Sequence, residues 1–434
     1  MVFLVWCEES LFLQRDFLKI LILGRGFAGL SLAWELIHRG HKVVVVGHGV
    51  SSYSSEHNRH PASCAAVGVS SLKGHFLADS ALFAAKLASH HGLESWLQGI
   101  EVFSKRHIPR FKGSVFEPFF NCREFQYLHE RIFHGNPTGL YRNRIVDSKE
   151  FREKISLEWK EAHPLGAFEY YNDLWFDPAV CLEALEKAIR SKGGQIIDGL
   201  LNGISLQVQQ NSKAKSQEEK NILKCAIQLL MGTESMFCET QHMVLACGSY
   251  LNDVLFKLDA GFSLPVSLCS GSTLTYKSTY NNYSSWGLRI KKTNFIFSNS
   301  QVIVGSSSFN HDIGRHSLLE GLIPKSGFEE YKMTKDEQLA HVVGEEVKLS
   351  RFQWGARLKA KDRSPIIGSL VQLANNVSMA FPKEILPKIW IFSGLYKNGL
   401  QVAWWLAKNL SDEIEGQKNK IVMQDFSIKR LFGS

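Results

Sequence analysis

No apolar run among the 434 residues reaches the ~20 consecutive apolar positions that a membrane-spanning helix needs. There is no C-x-x-C pair and no zinc-like spacing, because the 8 cysteines are scattered singly. That scatter argues against a disulfide framework or a structural zinc site. It fits thiols buried as small hydrophobes in a reducing cytoplasm. Strong charge of one sign is also missing: a net +8 suits an anionic ligand and permits RNA contact but demands neither. A disorder-prone composition is absent too, since 44% hydrophobic and 21% charged residues are the balance of a globular chain. The length is too great for one small core, so two domains are expected. Residues 1–17 lack the marks of a secretory signal: Glu8 and Glu9 break the apolar run and no small-residue cleavage site follows. They read equally as an N-terminal extension or as translation from an upstream start codon.

What the chain does have is concentrated in Leu18 to Val46. Ile20-Leu21-Ile22-Leu23 reads as a buried strand, stopped by Gly24-Arg25-Gly26-Phe27-Ala28-Gly29. A helical pattern follows, with Leu30, Ala33, Trp34, Leu36 and Ile37 on overlapping faces; Gly40 ends it, and Lys42–Val46 is a second strand. This is a β-α-β unit with G-x-G-x-x-G in its turn, and that context makes the motif a dinucleotide site. Gly24 lets the strand turn sharply, Gly26 lets a pyrophosphate approach the backbone, and Gly29 lets the helix pack close to the strand. The helix N-terminus then faces the phosphates. One part of the pattern is missing. The second strand should end near an Asp or Glu for the adenosine ribose, but position 47 is Gly47. The ribose must therefore be held by backbone, water or a polar neighbour such as His48 or Ser51.

Further along, Ser63, Cys64, Ala65, Ala66, Val67 and Gly68 form a dense run of small residues. It suits either backbone laid against a flat ligand or a tightly packed helix start. Residues 76–100 carry a helical pattern, and 101–176 read as short strands rich in aromatics such as Phe116, Phe119, Phe125, Tyr170 and Trp175. Such a face is either core or pocket wall. Asp177-Pro178 opens a helix that Gly193-Gly194 ends, before a strand at 195–197. Alternating segments at 204–209 and 222–230 flank a charged loop, 211–220, read as a solvated hairpin connection. His242–Leu245 is a strand running into Ala246, Cys247, Gly248 and Ser249, either a second backbone loop for the dinucleotide or a plain strand end. Strands are expected at 272–276 and 302–305, and a helix over 334–349. Near the C-terminus, strand 389–392 meets Gly394-Leu395-Tyr396-Lys397-Asn398-Gly399-Leu400 and then a helix, a second strand, Gly-rich turn and helix start.

These pieces, in this order, resemble the FAD-dependent oxidoreductases of the glycine oxidase and D-amino-acid oxidase family. The carriers are Gly24–Gly29, Ser63–Gly68, Val244–Gly248, and Gly355-Ala356-Arg357 through Asp362, Pro365 and Gly368 to Gly394–Leu400. The chain also looks like the oxidoreductase domain that finishes a methylaminomethyl group on a tRNA wobble uridine. The resemblance implies an α/β fold: a Rossmann-like FAD-binding domain with a mostly parallel sheet from 18–75, 176–258 and 355–434, and an α+β substrate domain with a mixed or antiparallel sheet from 76–175 and 259–354. It implies FAD held by Gly24, Gly26, Phe27, Ala28, Gly29, His48, Ser63, Ala65, Ala66, Gly68, Ala246, Gly248, Gly394, Leu395, Tyr396, Asn398, Gly399 and Leu400. The second helix start would face negative charge on the flavin. No cysteine follows Cys269, so the flavin is expected to be noncovalent. The implied reaction is hydride removal from the carbon beside an amine. By its motif, Arg357 is the candidate for a substrate carboxylate; the alternative is a structural arginine paired with Asp362 or a loop carbonyl. Tyr396 and Lys397 either face the ring or are exposed, with exposure expected for Lys397.

Three functions remain open at this level. The first is oxidation of a small amine or amino acid. The second is action on a modified tRNA base, for which Lys105, Arg106, Arg110, Lys112, Arg142 and Arg144 offer basic charge. The third is a non-catalytic flavin-fold binding subunit, suggested by Gly47.

Overall fold

The computed structural model describes residues 17–49, 62–72, 80–135, 143–155, 163–199, 201–210, 221–229, 235–277, 285–290, 293–298, 301–305, 348–417 and 424–432. The extension over 1–16, Ser51, Arg142, the charged loop at 211–220 and the expected helix as far as 347 lie outside them.

The strands in chain order are β1 (Lys19–Leu23), β2 (Lys42–Val46), β3 (Val69–Ser70), β4 (Arg110–Phe119), β5 (Asn143–Asp147), β6 (Gly166–Phe176), β7 (Gln195–Ile197), β8 (Leu201–Gln210), β9 (Asn221–Leu229), β10 (Ser235–Thr240), β11 (His242–Leu245), β12 (Ser267–Lys277), β13 (Trp286–Ile290), β14 (Thr293–Ser298), β15 (Gln301–Gly305), β16 (Lys348–Lys359), β17 (Ile366–Ser369) and β18 (Ile389–Ser393). The helices used below are α1 (Phe27–His38), α2 (Ala81–Ser104), α3 (Cys122–Gly135), α4 (Ser148–Ile155), α5 (Pro178–Ser191), α6 (Leu251–Lys257) and, for the last long helix, α7 (Gly399–Ile414).

A six-stranded sheet runs β17-β18-β11-β1-β2-β7. Within it β1 pairs in parallel with both β2 and β11, β11 with β18, and β2 with β7. Strand alternation explains why β1 reads as an unbroken apolar run. Ile20 and Ile22 pack into the core shared with α1, α5 and α7, while Leu21 and Leu23 pack into the core on the opposite face. Both faces are covered, so neither needs polar residues. A three-stranded antiparallel sheet, β10-β9-β8, contributes Leu223, Cys225 and Ile227 to that second core.

The other large sheet has nine strands, β16-β12-β15-β14-β13-β4-β6-β3 with β5 beside β6. It is mixed: β4 and β13 run parallel, the other pairings antiparallel. Its aromatics are mainly core, with Phe116, Trp286, Phe295 and Phe297 in one cluster together with Phe151 of α4. Two helices, α3 and α4, interrupt the segment expected to hold only strands. Phe125 and Leu128 of α3 pack with Phe119 and Phe168 of the sheet, and Phe151 and Ile155 of α4 are fully buried. Leu349 belongs to β16 rather than to a helix.

Capping follows the expected chemistry. The Asp177 carboxylate accepts from the amides of Ala179 and Val180 at the start of α5, with Pro178 in the first turn. At the start of α2, the Ser80 hydroxyl accepts from the Phe83 amide.

Candidate active site: a cleft between two glycine-rich turns and a mixed sheet

Parallel pairing places the carboxyl ends of β1, β11 and β18 side by side. Leu23 is level with Leu245, and Leu245 with Ile391. The Gly24–Gly29 turn, the Ala246–Gly248 turn and the Gly394–Gly399 turn therefore open on one edge of the sheet, the usual ligand edge of an open α/β fold. Hydrogen bonds tie them together. The Gly24 amide donates to Val46 O at 2.8 Å and the Ala246 amide to Leu23 O at 2.7 Å. At Gly24, with φ +125°, a Cβ would fall 2.1 Å from Ala246 O, so only glycine lets the two turns approach. At Gly29 a Cβ would fall 1.9 Å from Gly24 O, so its absence lets α1 begin directly against the strand end.

One cavity of about 910 Å³ joins these turns to the mixed sheet. Of the residues read from the sequence, Gly24, Gly26, Phe27, Ala28, His48, Ser63, Ala66, Gly68, Ala246, Gly248, Arg357 and every position from Gly394 to Leu400 line it. Gly29 and Ala65 do not: Gly29 is the packing contact just described, and Ala65 is buried with its carbonyl turned to Arg357. The small-residue run also serves the helix start, because the Ser63 hydroxyl accepts from the Phe27 amide at 3.0 Å. Gly68 is required by packing, since at φ +90° its Cβ would fall 2.0 Å from Phe176 O.

Arg357 stands on β16. Its Nη2 donates to Ala65 O at 3.2 Å, and it lies over Gly271 of β12, where a Cβ would fall 2.3 Å from Nη1. It does not pair with Asp362, whose carboxylate is held instead by Arg430 at 2.7 Å. Tyr396 is half-buried beside it, and burial together with Cys269 pushes the phenol above its ordinary range. The phenol therefore stays protonated as a hydrogen-bond donor at neutral pH. Lys397 is exposed, its Nζ 5.5 Å from the centre of the Tyr396 ring.

Other lining residues left no signal in the sequence, because long-range folding brings them here. Lys86 of α2 and Glu117 of β4 are buried, and Arg289 of β13 is largely so. The Tyr170 hydroxyl donates to Glu117 at 3.1 Å, and Arg289 Nε donates to Asn294 Oδ1 at 2.8 Å. Burial pushes the Lys86 ammonium down to about 7. Of the basic residues read as a possible RNA surface, Lys105 and Lys112 are exposed, while three arginines are engaged internally. Arg106 pairs with Glu183, Arg110 with Glu101, and Arg144 with Glu150 and Glu169.

Residues 19–413 match the family model described as DAO, FAD dependent oxidoreductase. The chain belongs to this family of FAD-dependent oxidoreductases. Among solved structures it is similar to glycine oxidase from Geobacillus kaustophilus, with a TM-score of 0.73 and 17% identity over 95% of this chain and 99% of that one. It is also similar to L-proline dehydrogenase from P. horikoshii (TM-score 0.64, 15% identity, 96% and 98% covered). A third similar structure is the FAD-bound L-alpha-glycerophosphate oxidase from Mycoplasma pneumoniae (TM-score 0.64, 15% identity, 92% and 94% covered). No curated protein matches the sequence.

The cleft of this DAO-family oxidoreductase fits its cofactor. The G-x-G-x-x-G turn and the start of α7 line the same cavity, as a molecule with a pyrophosphate and a charge-accepting ring requires. At Gly26 a Cβ would meet only Ser63 Oγ, at 3.5 Å, so the turn stays open to the cleft. No helix of the described residues is long and apolar enough to cross a membrane. Among the described residues no cluster of His, Cys, Asp or Glu could hold a metal.

Proposed function

We propose that this oxidoreductase oxidises the C–N bond of a small amine or amino acid that carries a carboxylate. The observation that supports this reading is Arg357, a guanidinium on the sheet wall of the same cavity that both glycine-rich turns line. A planar guanidinium takes a carboxylate on two parallel hydrogen bonds and thereby fixes the neighbouring carbon. Bound FAD supplies the hydride acceptor, and the substrate leaves as an imine that water hydrolyses.

The chain's own work is binding and orientation. Gly24, Gly26, Phe27 and Ala28 would hold the pyrophosphate end, with Gly394 to Leu400 at the other. The dipole at the start of α7 favours negative charge beside it. Arg357 is aimed by the Ala65 carbonyl and by the room left at Gly271. The protonated Tyr396 phenol, hydrogen-bonded to Cys269, keeps a neutral polar group next to it. The likeness to glycine oxidase and L-proline dehydrogenase agrees with an amino-acid substrate.

The test is flavin bleaching under anaerobic conditions across amino acids, N-methylated amino acids, their decarboxylated counterparts and tRNA. Carboxylated amines should bleach the flavin and their decarboxylated counterparts should not, and Arg357→Ala should abolish the difference. Equal bleaching by both amine sets, or by tRNA alone, would overturn the reading.

A further inference from the structure

The start of α7 carries a polar side chain that the fold leaves unmet. Gln401 is the third residue of α7, one position beyond the glycine-rich turn read from the sequence. It is 5% exposed. Its backbone is bonded on both sides: the amide donates to Asn398 O at 3.0 Å, and the carbonyl accepts from the Ser89 hydroxyl of α2. Its side chain differs. Among the described residues, Nε2 is withdrawn from water and has no hydrogen-bond partner. A buried amide N–H without an acceptor destabilises a fold, and native proteins keep few of them. Such a group points to an acceptor that arrives with a ligand.

The surroundings say where that ligand lies. Gln401 lines the same cavity as both glycine-rich turns. Side chains of a helix lean toward its N-terminus, so the third residue covers the first turn. Asn398, at the cap position, makes no side-chain bond to that turn, which leaves the helix start open to the cavity. The terminal torsion of a glutamine is soft and roughly two-fold, so Nε2 can swing to the cavity side without the residue leaving its place in the core.

The chemistry of the group selects the part of FAD. The pyrophosphate belongs to the other glycine-rich turn, and the dimethylbenzene edge of the ring system offers no acceptor. The pyrimidine edge carries two carbonyl oxygens, which an amide N–H can meet. Negative charge on the reduced ring collects on that same edge, where the dipole of α7 favours it.

We propose that the Gln401 side-chain amide donates a hydrogen bond to a carbonyl oxygen on the pyrimidine edge of the flavin. The bond that the FAD-free fold leaves unmade is made by the cofactor. The inference rests on FAD as the occupant and not on the amine substrate proposed above.

The experiment is Gln401→Met, which keeps the length of the side chain and removes the amide, read on the FAD-free protein. Two measurements should move in opposite directions. The urea midpoint of the FAD-free variant should rise above that of wild type, because the unmet donor is gone. FAD and FMN should each bind about tenfold more weakly, the scale of one lost hydrogen bond. ADP, which lacks the flavin, should bind as it does to wild type. If Gln401→Met fails to fold, Gln401→Leu is read by the same measurements. A FAD-free variant less stable than wild type would show that the amide is satisfied within the fold. Unchanged FAD affinity, or an equal loss for ADP, would show that it does not meet the flavin. Each of these overturns the proposal and leaves the substrate reading standing, since that reading fails only on the bleaching comparison of carboxylated and decarboxylated amines.

Discussion

Arg25 and Glu186 lie 161 residues apart and form a two-point ion pair, Nε to Oε1 at 2.7 Å and Nη2 to Oε2 at 2.6 Å. The arginine side chain is 4% exposed and the glutamate 13%, so the pair is largely withdrawn from water. It fastens the variable second position of the G-x-G-x-x-G turn to α5. The turn is thus held by backbone bonds to β2 and β11 on one side and by a charge pair on the other.

Removing one member of a buried pair typically costs about 3–5 kcal/mol, and less where a second charge stands by, as Asp198 does 3.4 Å from Arg25 Nη1. Glu186→Gln should therefore destabilise the FAD-free protein by about 3 kcal/mol in urea unfolding and weaken FAD binding. Replacing both members, Arg25→Met with Glu186→Leu, should recover most of the stability, because an apolar pair of similar volume leaves no buried charge. A single variant as stable as wild type would show that the pair does not brace the turn.

Gly271 controls where Arg357 can lie. A Cβ there would meet the end of a flexible side chain rather than backbone, so the protein should fold while the guanidinium shifts. Gly271→Ala should leave the unfolding midpoint nearly unchanged. It should raise KM for a carboxylated substrate about tenfold, the scale of a lost hydrogen bond to a charged group. Steady-state kinetics beside thermal melts separate the two effects. An unchanged KM would mean that Arg357 does not hold the carboxylate.

Lys86 sets a pH dependence of stability. Burial pushes its folded value down to about 7, against about 10.4 in an unfolded chain. Between these values the unfolded state binds the extra proton, so this group makes stability rise with pH across that window. The penalty is fully present below pH 7, reaches at most about 5 kcal/mol, and is gone above about pH 10.5. Lys86→Met should thus be more stable than wild type at pH 6.5, by an amount that shrinks steadily by pH 9.5. Urea unfolding of the FAD-free proteins at both values checks it. A constant difference would place the amine in contact with water.

The parts legible in the sequence were those whose cause is local. β1, the glycine turn, α1 and β2 follow one another within thirty residues, and each glycine is fixed by contacts the motif already implies. The second turn, 394–399, was legible for the same reason. What was hidden depends on distant partners: Glu186 reaches Arg25 only because α5 packs on α1, and Lys86 matters only because α2 packs on α7, where Ser89 donates to the Gln401 carbonyl. α3 was missed because it packs Phe125 and Leu128 against the sheet while Tyr127 between them is 59% exposed. Aromatics on both faces blur the helical period.

Covalent attachment of the flavin needs a reactive thiol within reach of the cleft. Among the described residues, the cysteine that lines the cavity is Cys247, whose Sγ donates to Leu23 O at 3.1 Å. Enclosure by the protein pushes this thiol up to about 12. The nucleophile in thiol chemistry is the thiolate, and at neutral pH almost none is present at this position. Cys64, behind the small-residue run, is likewise pushed up to about 12 by burial. Neither sulfur is set up to attack a flavin ring. Acid precipitation of the yellow protein should therefore leave a colourless pellet and all of the FAD in the supernatant, read by its absorbance. Colour retained in the washed pellet would show a covalent link, and peptide mapping of the flavin-bearing fragment would then identify the attaching residue.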